Sequence, residues 1–119
     1  MARILIAEDE SSLRVFVARA LRLDGHETVE AADGAEALDH IVSEEFDLLL
    51  SDIRMPVMDG IELAMEVAKL RPALPILLMT GYAEQRERAD SLTRIIVDVL
   101  EKPFTLPQIR QAVADALAA

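Results

Sequence analysis

Short apolar segments alternate five times with longer segments in which apolar residues recur every three or four positions. Most of the short segments are nearly continuous apolar runs, which is typical of strands buried on both faces of a parallel sheet, whereas His26–Ala31 predicts a weaker strand. The predicted strands are Arg3–Ala7, His26–Ala31, Phe46–Ser51, Ile76–Met79 and Ile95–Leu100. This repeat of β–α units predicts one doubly wound α/β domain over residues 1–119, with five helices covering both faces of the sheet.

The segments that follow the strands are predicted to be helices. Ser11–Leu23 is amphipathic, and Asp33 and Thr105 each begin a capping pattern with Glu or Gln three positions later. A third helix is expected after Gly60, whereas the polar segment Ala83–Leu92 predicts a short, weakly packed helix. The residues expected to face the core from the first two helices are Leu13, Phe16, Val17, Ala20, Leu21, Ala37, Leu38, Ile41 and Val42.

Composition and charge exclude several classes of function. The chain has 119 residues, is 52% hydrophobic and carries a formal net charge of −10, which disfavours binding to nucleic acid or anionic membranes. It has no cysteine, so disulfides and thiolate chemistry are excluded. No apolar run approaches the roughly 20 residues that span a bilayer, and no secretory signal is visible. We therefore expect a soluble, cytoplasmic domain.

Polar side chains follow four of the five predicted strands. Glu8 and Asp9 come after the first strand, Asp52 after the third, Thr80 after the fourth and Lys102 after the fifth. Ligands bind outside the carboxyl ends of the strands in open parallel sheets, so we expect these five side chains to converge at one edge. Clustered carboxylates need a cation, and hard oxygen ligands suit Mg²⁺.

This set of residues has the chemistry needed to accept a phosphoryl group. A carboxylate can act as the nucleophile and form an aspartyl phosphate. The ammonium of Lys102, together with Mg²⁺, can neutralise charge on the phosphoryl oxygens, and the hydroxyl of Thr80 can hydrogen-bond one of them. The sequence therefore predicts a phosphoacceptor site.

At these residues the chain resembles the receiver domains of two-component response regulators. The resemblance covers essentially the whole chain and rests on four motifs in the same order and spacing: Glu8–Asp9, Asp52 within SDIRMPVMDG, Thr80–Gly81 and Lys102–Pro103–Phe104. It implies the flavodoxin-like fold with strand order 2-1-3-4-5. It also implies that the Lys102–Pro103 peptide bond is cis.

The resemblance assigns a role to each of these residues. Asp52 is implied as the phosphoacceptor, and Asp9 and Asp52 as Mg²⁺ ligands together with the backbone carbonyl of Arg54. Glu8 is expected to act on the ion through a bound water. Thr80 is implied as the switch hydroxyl and Lys102 as the phosphate-binding lysine.

One position departs from the family pattern. Receiver domains usually carry a switch Phe or Tyr three residues before the lysine, and here Val99 occupies that position. The usual aromatic rotation coupled to Thr80 is therefore not expected. Tyr82, the only tyrosine, lies two residues after Thr80 and is our candidate for a substitute reporter.

The resemblance also implies partners. The phosphoryl donor would be a sensor histidine kinase or a histidine phosphotransfer protein, and the only catalysis expected is self-phosphotransfer and autodephosphorylation. We expect no output domain, so the signal would pass to a downstream protein in trans. The chain looks most like single-domain regulators of the CpdR type, which implies an adaptor for an AAA+ protease. Ala118–Ala119 would then be either a degradation signal or an ordinary helix end. The alternative is an adaptor that binds proteins without phosphorylation.

Overall fold

The computed structural model describes residues 1–119, which form five strands and five helices in strict alternation. The strands are β1 (Arg3–Ala7), β2 (Glu27–Ala31), β3 (Leu48–Asp52), β4 (Ile76–Thr80) and β5 (Asp98–Glu101). The helices are α1 (Ser11–Leu23), α2 (Gly34–Ser43), α3 (Gly60–Leu70), α4 (Ala83–Asp90) and α5 (Leu106–Ala118). All strand pairs are parallel, and the strand order is β2-β1-β3-β4-β5, which confirms the predicted topology.

The hydrophobic core consists of two clusters, one on each face of the sheet. Successive residues of the central strands point to opposite faces, so Leu49 and Leu78 join one cluster while Leu50 and Leu77 join the other. The first cluster is covered by α2, α3 and α4, and the second by α1 and α5. Every residue of β3 and β4 is buried, which explains the apolar runs Leu48–Leu50 and Ile76–Met79 that precede their polar ends.

Two residues predicted to face the core are exposed instead. Phe16 on α1 is 41% exposed and Val42 on α2 is 62% exposed. The apolar stripe of each helix is wider than the surface that the sheet can cover, so residues at its margin remain in contact with solvent.

The strand boundaries also differ from the prediction, most of all in β5. That strand begins at Asp98 rather than Ile95, because the N–H groups of Ile95 and Ile96 donate to the carbonyl of Leu92 and continue the turn after α4. Both isoleucine side chains still pack against the core, so their hydrophobicity carried no information about the backbone. Likewise β3 begins two residues later than predicted, at Leu48.

The carboxyl ends of the five strands lie at one edge of the sheet because all the strand pairs are parallel, and side-chain caps start three of the helices that follow the strands and loops. Asp33 and Asp59 accept hydrogen bonds from N–H groups in the first turns of α2 and α3, and Thr105 forms a capping box with Gln108 at the start of α5.

None of the helices is both long enough and apolar enough to cross a lipid bilayer.

An acidic cleft at the carboxyl end of the sheet

The predicted acidic residues meet in one cleft of about 760 Å³ at the carboxyl ends of the central strands. Glu8 and Asp9 directly follow β1, and Asp52 is the last residue of β3, the neighbouring strand. One carboxylate oxygen from each of these three residues lies within 4.8 Å of the others. The cleft is lined by Glu8, Asp9, Glu10, Leu13, Asp52, Arg54, Gly81, Tyr82, Lys102, Pro103 and Phe104.

Glu8 is fully buried and is held by both backbone and side chain. Its N–H donates to the carbonyl of Ala31 at 3.0 Å, which extends the pairing of β1 with β2 by one residue. Its Oε1 accepts from Nζ of Lys102 at 2.8 Å, and its Oε2 accepts from the N–H of Glu10 at 3.2 Å. The carboxylate is therefore fixed at the base of the cleft.

Lys102 links two of the acids. Its Nζ lies 2.8 Å from Oε1 of Glu8 and 3.2 Å from Oδ2 of Asp52, and the following Lys102–Pro103 peptide bond is cis, as the resemblance implied. Although burial by itself lowers it, the hydrogen bond to Glu8 and the charge of Asp52 raise the pKa of Lys102 above its ordinary value. The lysine therefore stays charged in the cleft.

Burial dominates the titration of the two buried acids. It raises the pKa of Glu8 to about 7, against the opposing hydrogen bond from Lys102. Burial also raises the pKa of Asp52, again opposed by the charge of Lys102. A single ammonium does not fully compensate two buried carboxylates, so the cleft favours the arrival of further positive charge.

Thr80 lies at the edge of the cleft rather than along its wall. It ends β4, is 2% exposed and lines a smaller cavity of about 190 Å³ together with Lys102. Its Oγ1 accepts a hydrogen bond from the N–H of Tyr82 at 3.1 Å and is 3.4 Å from the carbonyl oxygen of the same residue. The hydroxyl is thus held by the turn that leads into α4.

Arg54 and Tyr82 form a stacked pair at the mouth of the cleft. The guanidinium carbon of Arg54 lies 4.8 Å from the centroid of the Tyr82 ring, within the range of a cation–π contact. The ring is 47% exposed. The pair connects the loop after β3 with the turn after β4.

The donor set fits a hard divalent cation. Mg²⁺ binds in proteins through carboxylate oxygens and retained waters; here three carboxylates have oxygens within 4.8 Å of one another, and Asp9 remains exposed where water could complete the coordination. A bound cation would favour the ionised forms of Glu8 and Asp52 and so lower the pKa values that burial has raised. The residues present therefore fit a Mg²⁺ ion.

Comparison with known proteins agrees with this geometry. Residues 4–114 match the model of the response regulator receiver domain. The chain belongs to this family. The receiver protein CpdR of Brucella abortus (strain 2308) is 40% identical, over 100% of this chain and 99% of that protein. Response regulator MprA of Mycobacterium avium (strain 104) is 36% identical over 90% of this chain but only 47% of its own length.

Solved structures of receiver domains share the fold. A CheY-like receiver domain protein from Methanospirillum hungatei JF-1 superposes with a TM-score of 0.92 at 31% identity, over 99% of this chain and 94% of the other. The chemotaxis response regulator CheY4 of Vibrio cholerae gives a TM-score of 0.89 at 30% identity, over 98% of both chains.

The receiver domain has no aromatic residue on β5. Val99 is 8% exposed and packs in the cluster that contains Ala89 and Leu92, opposite Leu78 of β4. Its carbonyl accepts a hydrogen bond from Arg86 on α4 at 3.3 Å. Position 99 therefore contributes to the attachment of α4 through its backbone as well as its side chain.

Sequence reasoning missed two residues that shape the acidic site of this receiver domain. Glu10 caps α1 by accepting from the N–H groups of Ser12 and Leu13, and its own N–H donates to Glu8. Arg14 donates to the backbone carbonyl of Glu8 at 2.7 Å. Glutamate is not a preferred N-cap residue, and nothing in the apolar pattern separates Arg14 from the other arginines of α1.

Proposed function

We propose that this receiver domain is a phosphorylation-controlled switch whose phosphoacceptor is Asp52. The observation that supports it is the placement of Asp52 within reach of both a cation site and an ammonium, 3.2 Å from Nζ of Lys102 and in the cluster with Glu8 and Asp9. Such an arrangement stabilises the negative charge that develops during phosphoryl transfer.

The proposed reaction transfers a phosphoryl group from a phosphohistidine of a sensor histidine kinase or phosphotransfer protein. An oxygen of the ionised Asp52 attacks phosphorus, the P–N bond breaks, and the imidazole nitrogen leaves with the electron pair and is protonated. Lys102 exchanges part of its contact with Glu8 and Asp52 for a phosphoryl oxygen. The aspartyl phosphate is later hydrolysed by water to inorganic phosphate, which restores the carboxylate.

The proposed cofactor is Mg²⁺. Asp9 and Asp52 would bind it directly together with the Arg54 carbonyl, and Glu8 would bind it through water. When bound, the ion supplies positive charge that stabilises the equatorial phosphoryl oxygens. Glu8 holds Lys102 in place, and Thr80 would supply a hydroxyl to the phosphorylated state.

The experiment is phosphorylation by a small phosphodonor in the presence of Mg²⁺, followed by mass spectrometry. Wild-type protein should gain one phosphoryl group, and Asp52→Asn should gain none. Asp39→Asn, which makes the same change in α2, away from the acidic cleft, should behave like wild type. A gain that persists in Asp52→Asn would refute the assignment. No gain in the wild type would favour the alternative, a protein-binding adaptor that works without phosphate.

We further propose that the signal passes to a downstream protein in trans, in the cytoplasm. The full-length similarity to CpdR supports this, and the resemblance to regulators of that type makes an AAA+ protease the candidate partner. Affinity capture with phosphorylated wild type and with Asp52→Asn should recover different partner sets. Identical sets would contradict a switch.

A further inference from the structure

The side chain of Arg14 reaches from the first turns of α1 back to the acidic site. Its Nη1 donates to the carbonyl oxygen of Glu8 at 2.7 Å, and its Nε donates to Oε1 of Glu30 at 3.3 Å. The arginine side chain is 19% exposed and that of Glu30 is 34% exposed. The planar guanidinium is therefore fixed between a backbone acceptor at the site and a carboxylate on β2.

These contacts complete the restraint of Glu8. Its N–H is held by the carbonyl of Ala31, its carboxylate by Lys102 and Glu10, and its carbonyl by Arg14. The carbonyl of Glu8 and the N–H of Asp9 form one peptide group, so the orientation of that carbonyl sets the direction in which the Asp9 backbone leaves β1. Both acids thus depend on the position of one peptide unit.

We infer that Arg14 is a positioning residue of the acidic site: it fixes the Glu8–Asp9 peptide so that the carboxylates of both residues meet that of Asp52, and Glu30 in turn orients its guanidinium. This inference rests on the proposed Mg²⁺ site. Groups that orient metal ligands from outside the coordination sphere typically change metal affinity 10–100-fold when removed.

The sign of the effect separates positioning from charge. Removing a cation close to a site for Mg²⁺ lowers electrostatic repulsion, so a purely Coulombic role predicts tighter binding in Arg14→Met. A positioning role predicts weaker binding, because the acids lose their common geometry.

Arg22 provides a matched control. It lies on the same helix and also connects α1 to β2, through Nη1 and Oγ1 of Thr28 at 3.3 Å, but it does not touch the acidic site. Arg22→Met therefore removes the same charge and a similar contact between α1 and β2.

The test is Mg²⁺ titration by calorimetry at physiological salt on the full chain. We expect Arg14→Met to bind Mg²⁺ about tenfold more weakly than wild type and Arg22→Met to stay within about twofold. Unchanged or tighter binding in Arg14→Met, or equal losses in both variants, would overturn the inference. If Arg14→Met does not fold, Arg14→Lys replaces it: an ammonium lacks the guanidinium fork, so affinity should still fall about threefold, and wild-type affinity would overturn the inference.

A second readout needs no metal. In metal-free protein, amide hydrogen exchange of Glu8 should be at least about tenfold faster in Arg14→Met than in Arg22→Met, relative to amides in the middle of β3. Equal exchange in the two variants would overturn the inference. Wild-type protein that binds no Mg²⁺ would instead overturn the proposed function, and the exchange measurement would still decide the role of Arg14.

Discussion

The close approach of α3 to the backbone of Asp52 makes Gly60 the most sensitive glycine near the site. A Cβ placed on Gly60 would lie 2.2 Å from the carbonyl oxygen of Asp52 and 2.8 Å from Cα of Ile53. The N–H of Gly60 also donates to the carbonyl of Ile53 at 2.7 Å, which draws the two backbones together. Because the obstructing atoms belong to the backbone, no side-chain rotation can relieve the clash.

The cost of Gly60→Ala follows from this geometry. Relief of the clash requires a shift of about 1 Å in β3 or α3, and overpacking of this kind costs about 1–3 kcal/mol. Alanine loses less backbone entropy on folding than glycine, so the substitution also stabilises the protein by at most about 1 kcal/mol, and by less at a helix terminus. We therefore expect the free energy of unfolding to fall by about 2 kcal/mol, which lowers the Tm of a domain this size by roughly 8 °C.

The matched control is Gly81→Ala. Its Cβ would meet only Cβ of Lys102, at an ordinary contact distance of 3.7 Å, so stability should change by less than about 0.5 kcal/mol. Chemical denaturation of both variants without Mg²⁺, monitored by circular dichroism, measures the difference. If Gly60→Ala were as stable as Gly81→Ala, the packing argument would be wrong.

Three further predictions concern the loops and acids around the cleft. Val57 is 81% exposed and has a φ of 69°, where a β-branched residue is strained, so Val57→Asn should raise the free energy of unfolding by about 1 kcal/mol in denaturant titrations; a decrease would contradict the strain. Burial raises the pKa of Glu8 from 4.5 to about 7, so its ionised form is the costly one in the folded state. Metal-free protein should therefore lose up to about 3 kcal/mol of stability from this group as the pH rises from 4.5 to above 7, and Tm measurements at pH 5 and pH 8 should show a smaller drop for Glu8→Gln; equal drops would count against the burial argument. Tyr82→Phe keeps the ring that stacks on Arg54 whereas Tyr82→Ala removes it, so only the alanine variant should weaken the response of α4 and β5 amide chemical shifts to phosphorylation, and wild-type responses in both variants would remove Tyr82 from the switch.

The sequence predicted the sheet because a strand buried on both faces needs an uninterrupted apolar run, and β1 and α1 begin and end where predicted. The prediction of strand boundaries failed where apolar residues pack against the core but their backbone does not pair with a neighbouring strand. Ile95 and Ile96 pack into the core from a turn, and Phe46 lies under the guanidinium of Arg3 at 4.7 Å ahead of β3. An apolar side chain indicates that a residue is buried, but residues in turns can be as buried as residues in strands, so hydrophobicity alone does not locate the end of a strand.

The candidate site was predictable for a different reason. Parallel strands end at one edge, so residues distant in sequence could be grouped without any knowledge of their contacts. The sequence could not predict which hydrogen-bond and ion-pair partners the side chains of the site have. Lys102 binds Glu8 and Asp52 at once, and the hydroxyl of Thr80 binds the backbone of Tyr82. Such pairings depend on distances of a few tenths of an ångström.

The attachment of α4 has a consequence for how this surface can change. The helix buries only Ala89 and has no side-chain N-cap, while Arg86 pairs with Glu101 and Arg88 pairs with Asp59. Exposed ion pairs of this kind contribute about 0.2–1 kcal/mol each and weaken with salt. The helix is therefore held in part by ion pairs whose contribution falls as the salt concentration rises, so a small change in free energy is enough to release α4 from Glu101 and Asp59 while Ala89 stays packed against the core.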